Sequence, residues 1–334
     1  MRALVSVAPL VFAVAPLASQ QPALSPGDRV RMAEAYRLAS RIQDRVWPHW
    51  SGAPFPLLLV TDSLEFLVHH PRPSDDFRSL GNDALLESAV FVRKRVYPPN
   101  LLATFPLAGV PTIVIGQPVS TGKSSTAWVL TVMHEHLHQL QYSRPGYYAG
   151  VDSLHLSRGD HTSMWMLNYP FPYDSAPVAA RFAALVQVLA LGVTHLTNGE
   201  RLPPATLAAL RRARAALAAA LSADDDRYLS FQLWQEGVAR YVEYRAAVIA
   251  AREYSPTPGF RALPDYMDLG TAAARLRHDL IRELEHGDLA RDRRESFYPA
   301  GAATALLLDT VDPRWQERYF ARMFTLDPLF EPPR

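Results

Sequence analysis

Apolar positions along the chain fall into two patterns: a three- and four-residue spacing typical of helices, and short continuous runs typical of buried strands. The runs cover residues 57–61, 88–92 and 110–116 and predict strands of one small sheet. Residues 69–83 are polar and predict a loop. Helical spacing, with capping and proline signals, predicts helices at residues 25–47, 124–144, 177–197, 204–221, 236–254, 265–285, 298–308 and 312–326. The chain is therefore expected to have an α+β fold that is predominantly helical.

The helix predicted at 124–144 contains His134-Glu135-His136-Leu137-His138, which has the H-E-x-x-H spacing. Residues i and i+4 of a helix lie on one face, one turn apart, so His134 and His138 can bind the same cation. Glu135 lies beside them and can take a proton from a water molecule on that cation. His136 points away from this face and is expected to pack or to be solvated. The motif predicts a metal-dependent hydrolase.

A catalytic zinc site usually has three protein ligands and a water molecule, so one ligand must come from elsewhere in the chain. Glu236, expected at the start of the helix at 236–254, is the best candidate. Gly237 removes a side chain and predicts a close approach to the H-E-x-x-H helix. Glu243 lies two turns beyond Glu236 and could hydrogen-bond the back of a ligand histidine. A surface ion pair between Glu236 and Arg240 is the competing interpretation.

The loop that follows the H-E-x-x-H helix offers rival third ligands. These are His155, Asp160 and His161. None of them lies on a predicted helix, and Asp160 or His161 could line a substrate cleft instead. Glu236 is therefore preferred as the third ligand.

The H-E-x-x-H motif followed by E-G-x-x-x-Y-x-E resembles the gluzincin metallopeptidases, and among them most closely the aminopeptidase (leukotriene hydrolase-like) family. A third short match is F-Y-P-A-G-A at residues 297–302, which is similar to the family's Y-x-x-G-A. The resemblance implies a zincin-like catalytic core and Zn²⁺ held by His134, His138 and Glu236. It also implies that Glu135 is the general base and that the hydroxyl of Tyr298 donates to the oxyanion of the intermediate. A buried aromatic residue heading an apolar helix is the alternative for Tyr298.

The chain departs from the family pattern in two places. First, 97 residues separate His138 from Glu236, where the family has a short segment. This interval predicts a helical insert that forms a wall or cap over the cleft. Second, no G-x-M-E-N-type sequence precedes the metal-binding helix, and in the family that element grips the free amino terminus of a substrate. The resemblance therefore favours peptide hydrolysis without choosing between exopeptidase and endopeptidase action.

The organisation predicted from these features has four parts. Residues 1–19 predict a signal peptide, because they begin with a charged residue, continue with an apolar stretch and end with small residues at a possible cleavage site. Residues 20–145 form a small-sheet part ending in the H-E-x-x-H helix, residues 146–228 the helical insert, and residues 229–334 a helical part carrying the third ligand. No segment after the leader is expected to cross a membrane. An extracytoplasmic location is therefore predicted.

The net charge and the cysteine content exclude some classes of function and of metal site. The 334 residues carry a formal net charge of +1, which gives no electrostatic footprint for nucleic acid. The absence of cysteine excludes disulfides and thiolate metal ligands. We therefore expect an exported zinc metallopeptidase acting on a peptide or protein. A non-catalytic extracytoplasmic zinc-binding protein and a zinc hydrolase of a non-peptide bond remain open.

Overall fold

The computed structural model describes residues 22–331, and the predicted signal peptide lies outside this range. The described residues form many helices and one small mixed sheet. The predicted α+β class, predominantly helical, is confirmed.

Six strands form the sheet, in the spatial order β3-β4-β2-β1-β6-β5. Strands β1 and β6 are parallel, and every other neighbouring pair is antiparallel. The strand bounds are β1 Leu57–Val60, β2 Leu64–Val68, β3 Arg78–Asp83, β4 Ser88–Lys94, β5 Leu102–Leu107 and β6 Val110–Gly116. The three predicted strands correspond to β1, β4 and β6, which supply the buried centre of the sheet together with β2.

Strands β2, β3 and β5 were not expected, and the predicted loop at 69–83 is wrong over β3. Both β3 and β5 are edge strands. The side chains of β3 are mostly exposed, so its sequence lacks the apolar alternation that marks a half-buried strand. Strand β5 contains Pro106, which a strand tolerates at an edge because no hydrogen bond is needed there.

The helices bury their apolar faces around the sheet and against one another. Their bounds are α1 Pro26–Val46, α2 Pro118–Thr121, α3 Ser125–Tyr142, α4 Tyr147–Ser153, α5 Trp165–Asn168, α6 Ala176–Thr197, α7 Pro204–Ala218, α8 Ala223–Gln232, α9 Val238–Glu253, α10 Pro258–Arg261, α11 Leu269–His286, α12 Leu289–Asp292, α13 Phe297–Val311 and α14 Trp315–Arg318. Short 3₁₀ turns span Trp50–Gly52, Arg293–Ser296, Tyr319–Arg322 and Asp327–Phe330. The predicted division at residue 228 falls inside α8.

Two helix predictions are wrong. The helix expected at 312–326 is only α14 followed by a 3₁₀ turn, because Met323 is extended and Phe324 has a φ of +69°. The helix expected to begin at Glu236 begins earlier. Helices α8 and α9 are joined by a π-helical segment, Leu233–Gly237, into one helical run over residues 223–253.

The H-E-x-x-H helix, α3, is buried on nearly every face. The side-chain oxygen of Ser124 accepts a hydrogen bond from the Ala127 N–H and caps the first turn. Strands β5 and β6 pack on one side of α3, and helices α1 and α9 pack on the other. This burial fixes the position of the motif in the core.

Helix α9 does pack against the H-E-x-x-H helix α3, but the close contact that Gly237 permits is with α13. A Cβ atom on Gly237 would lie 2.4 Å from the Gly301 Cα. A Cβ atom on Gly301 would lie 2.5 Å from the Leu233 carbonyl oxygen. The two glycines therefore set the distance between the helical run that carries Glu236 and the helix that carries Tyr298.

Helix α6 corrects the expectation that no later segment is apolar enough to cross a membrane. The helix has 22 residues, and an 18-residue stretch of it has a mean hydropathy of 1.8, which meets the length and composition of a membrane span. Within the fold this helix packs against α7, α11 and α13, and 44% of its most apolar stretch is buried.

Candidate metal centre

Three side chains predicted as metal ligands meet at one point of the fold. The Oε2 atom of Glu236 lies 3.4 Å from the Nε2 atom of His138 and 3.8 Å from the Nε2 atom of His134. All three donor atoms lie within 4.8 Å of one another. Across residues 22–331, this is the one group of three or more His, Asp or Glu side chains close enough to hold a metal ion.

These spacings fit a shared cation. Two ligands about 2.05 Å from a tetrahedral metal ion are roughly 3.3 Å apart, close to the distances between the histidine nitrogens and the carboxylate oxygen. Two imidazole nitrogens and one carboxylate oxygen form a donor set suited to a borderline divalent ion. The group can therefore hold a metal ion.

Glu236 lies within the π-helical segment Leu233–Gly237. A π turn inserts one residue into a helical run and rotates the side chains that follow it by about 100°. Helix α9, which follows the segment, packs against α3. π turns are frequent at functional sites, and here the distortion lies at the predicted third ligand.

The ring of His138 is fixed by a hydrogen bond between its Nδ1 atom and a glutamine side chain. Its Nδ1 atom lies 2.7 Å from the Oε1 atom of Gln141, so Nδ1 carries the proton and Nε2 is left free to bind a cation. The amide nitrogen of Gln141 donates to the Gln235 carbonyl at 3.1 Å and to the Tyr319 hydroxyl at 2.8 Å. Such outer contacts fix the orientation of a ligand histidine.

Glu243 lies near the ring of His134, but beyond hydrogen-bonding distance of it. The Oε2 atom of Glu243 lies 3.8 Å from the Nδ1 atom of His134. Arg240 donates to the same carboxylate oxygen at 2.9 Å and lies 3.5 Å from Glu283. Arg240 therefore pairs with these two carboxylates, and the competing ion pair between Arg240 and Glu236 is wrong.

Glu135 is buried at the base of the cleft and is fixed by an edge strand. The Thr104 hydroxyl, on β5, lies 2.9 Å from the Oε2 atom of Glu135 and 3.0 Å from the Glu135 carbonyl oxygen. A carboxylate held in this way is oriented for proton transfer. Its neighbour His136 faces away from the cleft and stacks on Phe55 at 3.7 Å between ring centroids. The expectation that His136 packs is confirmed.

Tyr298 lies against the histidine pair at the start of α13. Its ring is nearly parallel to that of His134, with centroids 6.2 Å apart. Its hydroxyl oxygen accepts a hydrogen bond of 2.6 Å from the Nη1 atom of Arg294. Nothing in the sequence motifs pointed to Arg294, although it precedes Tyr298 by one helical turn.

The electrostatics of the metal-free centre follow from these contacts. Burial lowers the pKa of His138, but the negative charge of Glu236 and Glu135 outweighs it and raises the pKa to about 9. Burial opposes ionisation of Glu236, yet the adjacent His138 charge and hydrogen bonds hold the pKa of Glu236 well below its usual range. Burial, together with the nearby Glu236 charge, raises the pKa of Tyr298 well above its usual value. The Tyr298 hydroxyl therefore keeps its proton at neutral pH and can donate it in a hydrogen bond.

The centre opens into a cleft of about 1420 Å³. Strand β5 and helix α3 line one wall, and residues near the start of α13 line another. The interval between His138 and Glu236 contributes Tyr148, Met164 and Leu167, which are about half exposed at the cleft. The interval lines part of the cleft, as expected for a helical wall.

The rival ligands lie outside this group. Asp160 accepts hydrogen bonds from the backbone N–H groups of Thr162 and Trp165 and so stabilises its own loop. His155 and His161 are exposed. None of the three belongs to the metal-binding group or to the lining of the cleft.

Comparison of the chain with protein-family models, curated proteins and solved structures finds no match. The assignment of a function therefore rests on the residues and geometry of this centre.

Proposed function

We propose that the protein is a zinc-dependent metallohydrolase that cleaves peptide bonds, of the gluzincin type that the motifs resemble. The observation that carries the proposal is the convergence of His134, His138 and Glu236 at a large cleft, with Glu135 beside them. Two nitrogens and one carboxylate oxygen are the ligands of a catalytic zinc site, which keeps one position for solvent. A structural zinc site would normally be closed by a fourth protein ligand.

When bound, zinc would polarise the substrate carbonyl and lower the pKa of a water molecule. Glu135, oriented by Thr104, takes the proton from the attacking water and delivers it to the leaving amine. The hydroxyl of Tyr298 donates to the oxyanion of the tetrahedral intermediate. Gln141 orients the ring of His138, and Glu243 places a negative charge beside the Nδ1 atom of His134, so the Nε2 atoms of both rings would be available to hold the metal.

The choice of a peptide as substrate is supported by the position of β5. Among residues 22–331, this strand pairs with β6 alone, and residues 101–106 line the cleft. An extended peptide can add to a strand edge through backbone hydrogen bonds. The same strand supplies Thr104, so a peptide lying along it would pass next to Glu135.

The test is cleavage of a peptide library by the zinc-loaded full-length protein. Glu135→Gln should retain zinc and lose at least about a hundredfold in kcat, because it lacks a base. Glu317→Gln, on an exposed position of α14, is the matched control and should cleave at the wild-type rate. Equal cleavage by the wild type and Glu135→Gln would refute the proposed mechanism. Zinc binding without cleavage of any peptide would favour a non-catalytic zinc-binding protein or a hydrolase of another bond.

We also propose an extracytoplasmic location, on the predicted signal peptide at residues 1–19. Amino-terminal sequencing of the protein recovered from the producing cells and from their exported fraction tests this. Recovery of the uncleaved chain inside the cells alone would contradict export.

A further inference from the structure

Arg294 contacts two different parts of the centre at once. Its Nη1 atom donates to the Tyr298 hydroxyl oxygen at 2.6 Å and lies 3.8 Å from the Oε1 atom of Glu236. The other carboxylate oxygen of Glu236, Oε2, is the one that faces His134 and His138. The positive charge of Arg294 therefore lies beside the oxygen of Glu236 that is turned away from the histidines.

The guanidinium is enclosed where it makes these contacts. Only 17% of the Arg294 side chain is exposed, and its guanidinium also lies over the Tyr298 ring at 5.1 Å. An arginine fork has several donors in a rigid plane, so it can orient a carboxylate and a phenol together. A hydrogen bond accepted from Arg294 leaves the single proton of Tyr298 free to be donated elsewhere.

The backbone beside Arg294 is strained. Arg293 has φ +47° and ψ −128°, a conformation that favours glycine. Residues in such conformations cluster at functional sites. This strained residue begins the 3₁₀ turn Arg293–Ser296, which carries Arg294 to the start of α13. The side chain of Arg293 itself is 57% exposed and lies near Asp174.

We propose that Arg294 is a positioning residue that orients both the third metal ligand and the oxyanion-stabilising tyrosine. This inference rests on the proposed function and adds to it a link between metal affinity and catalysis. Loss of Arg294 frees the carboxylate of Glu236 to rotate, which weakens metal binding. It also frees the Tyr298 hydroxyl, which slows the chemical step.

The experiment compares the full-length wild type with Arg294→Gln, Arg294→Lys and Arg293→Gln. Zinc affinity, measured by competition with a chromogenic chelator, should fall about 10- to 100-fold in Arg294→Gln, as for other outer contacts of metal ligands. Arg294→Lys should recover part of the affinity, because it keeps the charge near Glu236. Arg293→Gln removes the same charge from the same turn, away from the cleft, and should bind zinc like the wild type. Thermal unfolding of the metal-free proteins identifies any variant that fails to fold.

The tyrosine contact is tested by a double-mutant cycle with Tyr298→Phe. We expect both single variants to lower kcat at unchanged KM, and the double variant to lose little more than Tyr298→Phe alone. Zinc affinity in Arg294→Gln equal to that in Arg293→Gln, or additive losses of kcat, would overturn the inference. A wild type that binds zinc but cleaves no peptide would defeat the proposed function, while the zinc affinities would still test the contact between Arg294 and Glu236.

Discussion

Gly237 and Gly301 bring the helical run that carries Glu236 and the helix that carries Tyr298 into backbone contact. A Cβ atom on Gly301 would lie 2.6 Å from the Gly237 Cα and 2.5 Å from the Leu233 carbonyl oxygen. Both of these neighbours are backbone atoms, which cannot move aside as a flexible side chain would. The distance between the helical run that carries Glu236 and the helix that carries Tyr298 therefore depends on the absence of a side chain at both glycines.

Gly301→Ala should force these helices apart. We expect a loss of about 3 kcal/mol in the free energy of unfolding, at the upper end of the cost of overpacking. Chemical denaturation of the purified protein measures it. Gly52→Ala is the control, because a Cβ atom there meets nothing within 4 Å, and it should change stability by no more than about 0.5 kcal/mol. Equal stability of the two variants would show that the glycine contact is not tight.

Gln141→Leu should weaken metal binding without removing a ligand. The substitution takes away the acceptor that holds the Nδ1 proton of His138, so the ring loses its fixed orientation. Zinc affinity should fall about 10- to 100-fold. Gln187→Leu is the control, because it makes the same substitution at an exposed position of α6. Unchanged affinity in Gln141→Leu would mean that the glutamine does not orient the ligand.

Thr104→Val should slow catalysis and leave zinc in place. It removes the hydrogen bond that orients the Glu135 carboxylate while keeping nearly the same side-chain volume. A lost hydrogen bond of roughly 1.4 kcal/mol corresponds to about a tenfold lower kcat. Thr104→Ser keeps the hydroxyl and should retain most of the activity. A Thr104→Val variant with full kcat would show that Glu135 needs no such support.

The metal-free protein should lose stability as the pH rises from 6.5 towards 9. The pKa of His138 is about 9 in the folded protein, above the ordinary histidine value of 6.5, because Glu236 and Glu135 favour its charged form. Its contribution is therefore complete below pH 6.5 and disappears as the pH rises through about 9. The slope should be on the order of 1 kcal/mol per pH unit, measured by denaturation in the presence of a chelator.

Excess zinc should reverse this trend, because metal binding displaces the His138 proton and is favoured at higher pH. His138→Gln should show neither the falling slope nor its reversal. A metal-free wild type with constant stability over this pH range would contradict the predicted coupling between His138 and Glu236.

The sequence predicted His134 and His138 as candidate metal ligands because their i, i+4 spacing places them on one face of a helix. Glu236 and Glu243 are seven residues apart, but Glu236 lies in the π-helical segment and Glu243 in α9, so their spacing is not that of one regular helix. Gln141 could have been found in the same way, since it lies three residues after His138 on the same helix. The π-helical segment could not be found in this way, because its geometry departs from regular helical spacing.

Strands β3 and β5 and the contacts of Arg294 were not predicted from the sequence, and the reasons are related. Strand β3 is exposed and polar, and strand β5 contains a proline, so neither carries the apolar alternation that identifies a strand. Arg294 comes from a strained 3₁₀ turn that no local pattern predicts, and its contact with Glu236 joins residues 58 positions apart. Thr104 reaches Glu135 through the pairing of β5 with β6, which is likewise a tertiary relationship.

Zinc stoichiometry tests the central claim most directly. After loading and removal of free metal, the wild type should retain one zinc ion per chain. Glu236→Ala should bind zinc at least about a hundredfold more weakly, since it lacks one of three protein ligands. Glu317→Ala, at an exposed position outside the cleft, should match the wild type. Zinc held as tightly by Glu236→Ala as by the wild type would contradict the proposed metal centre.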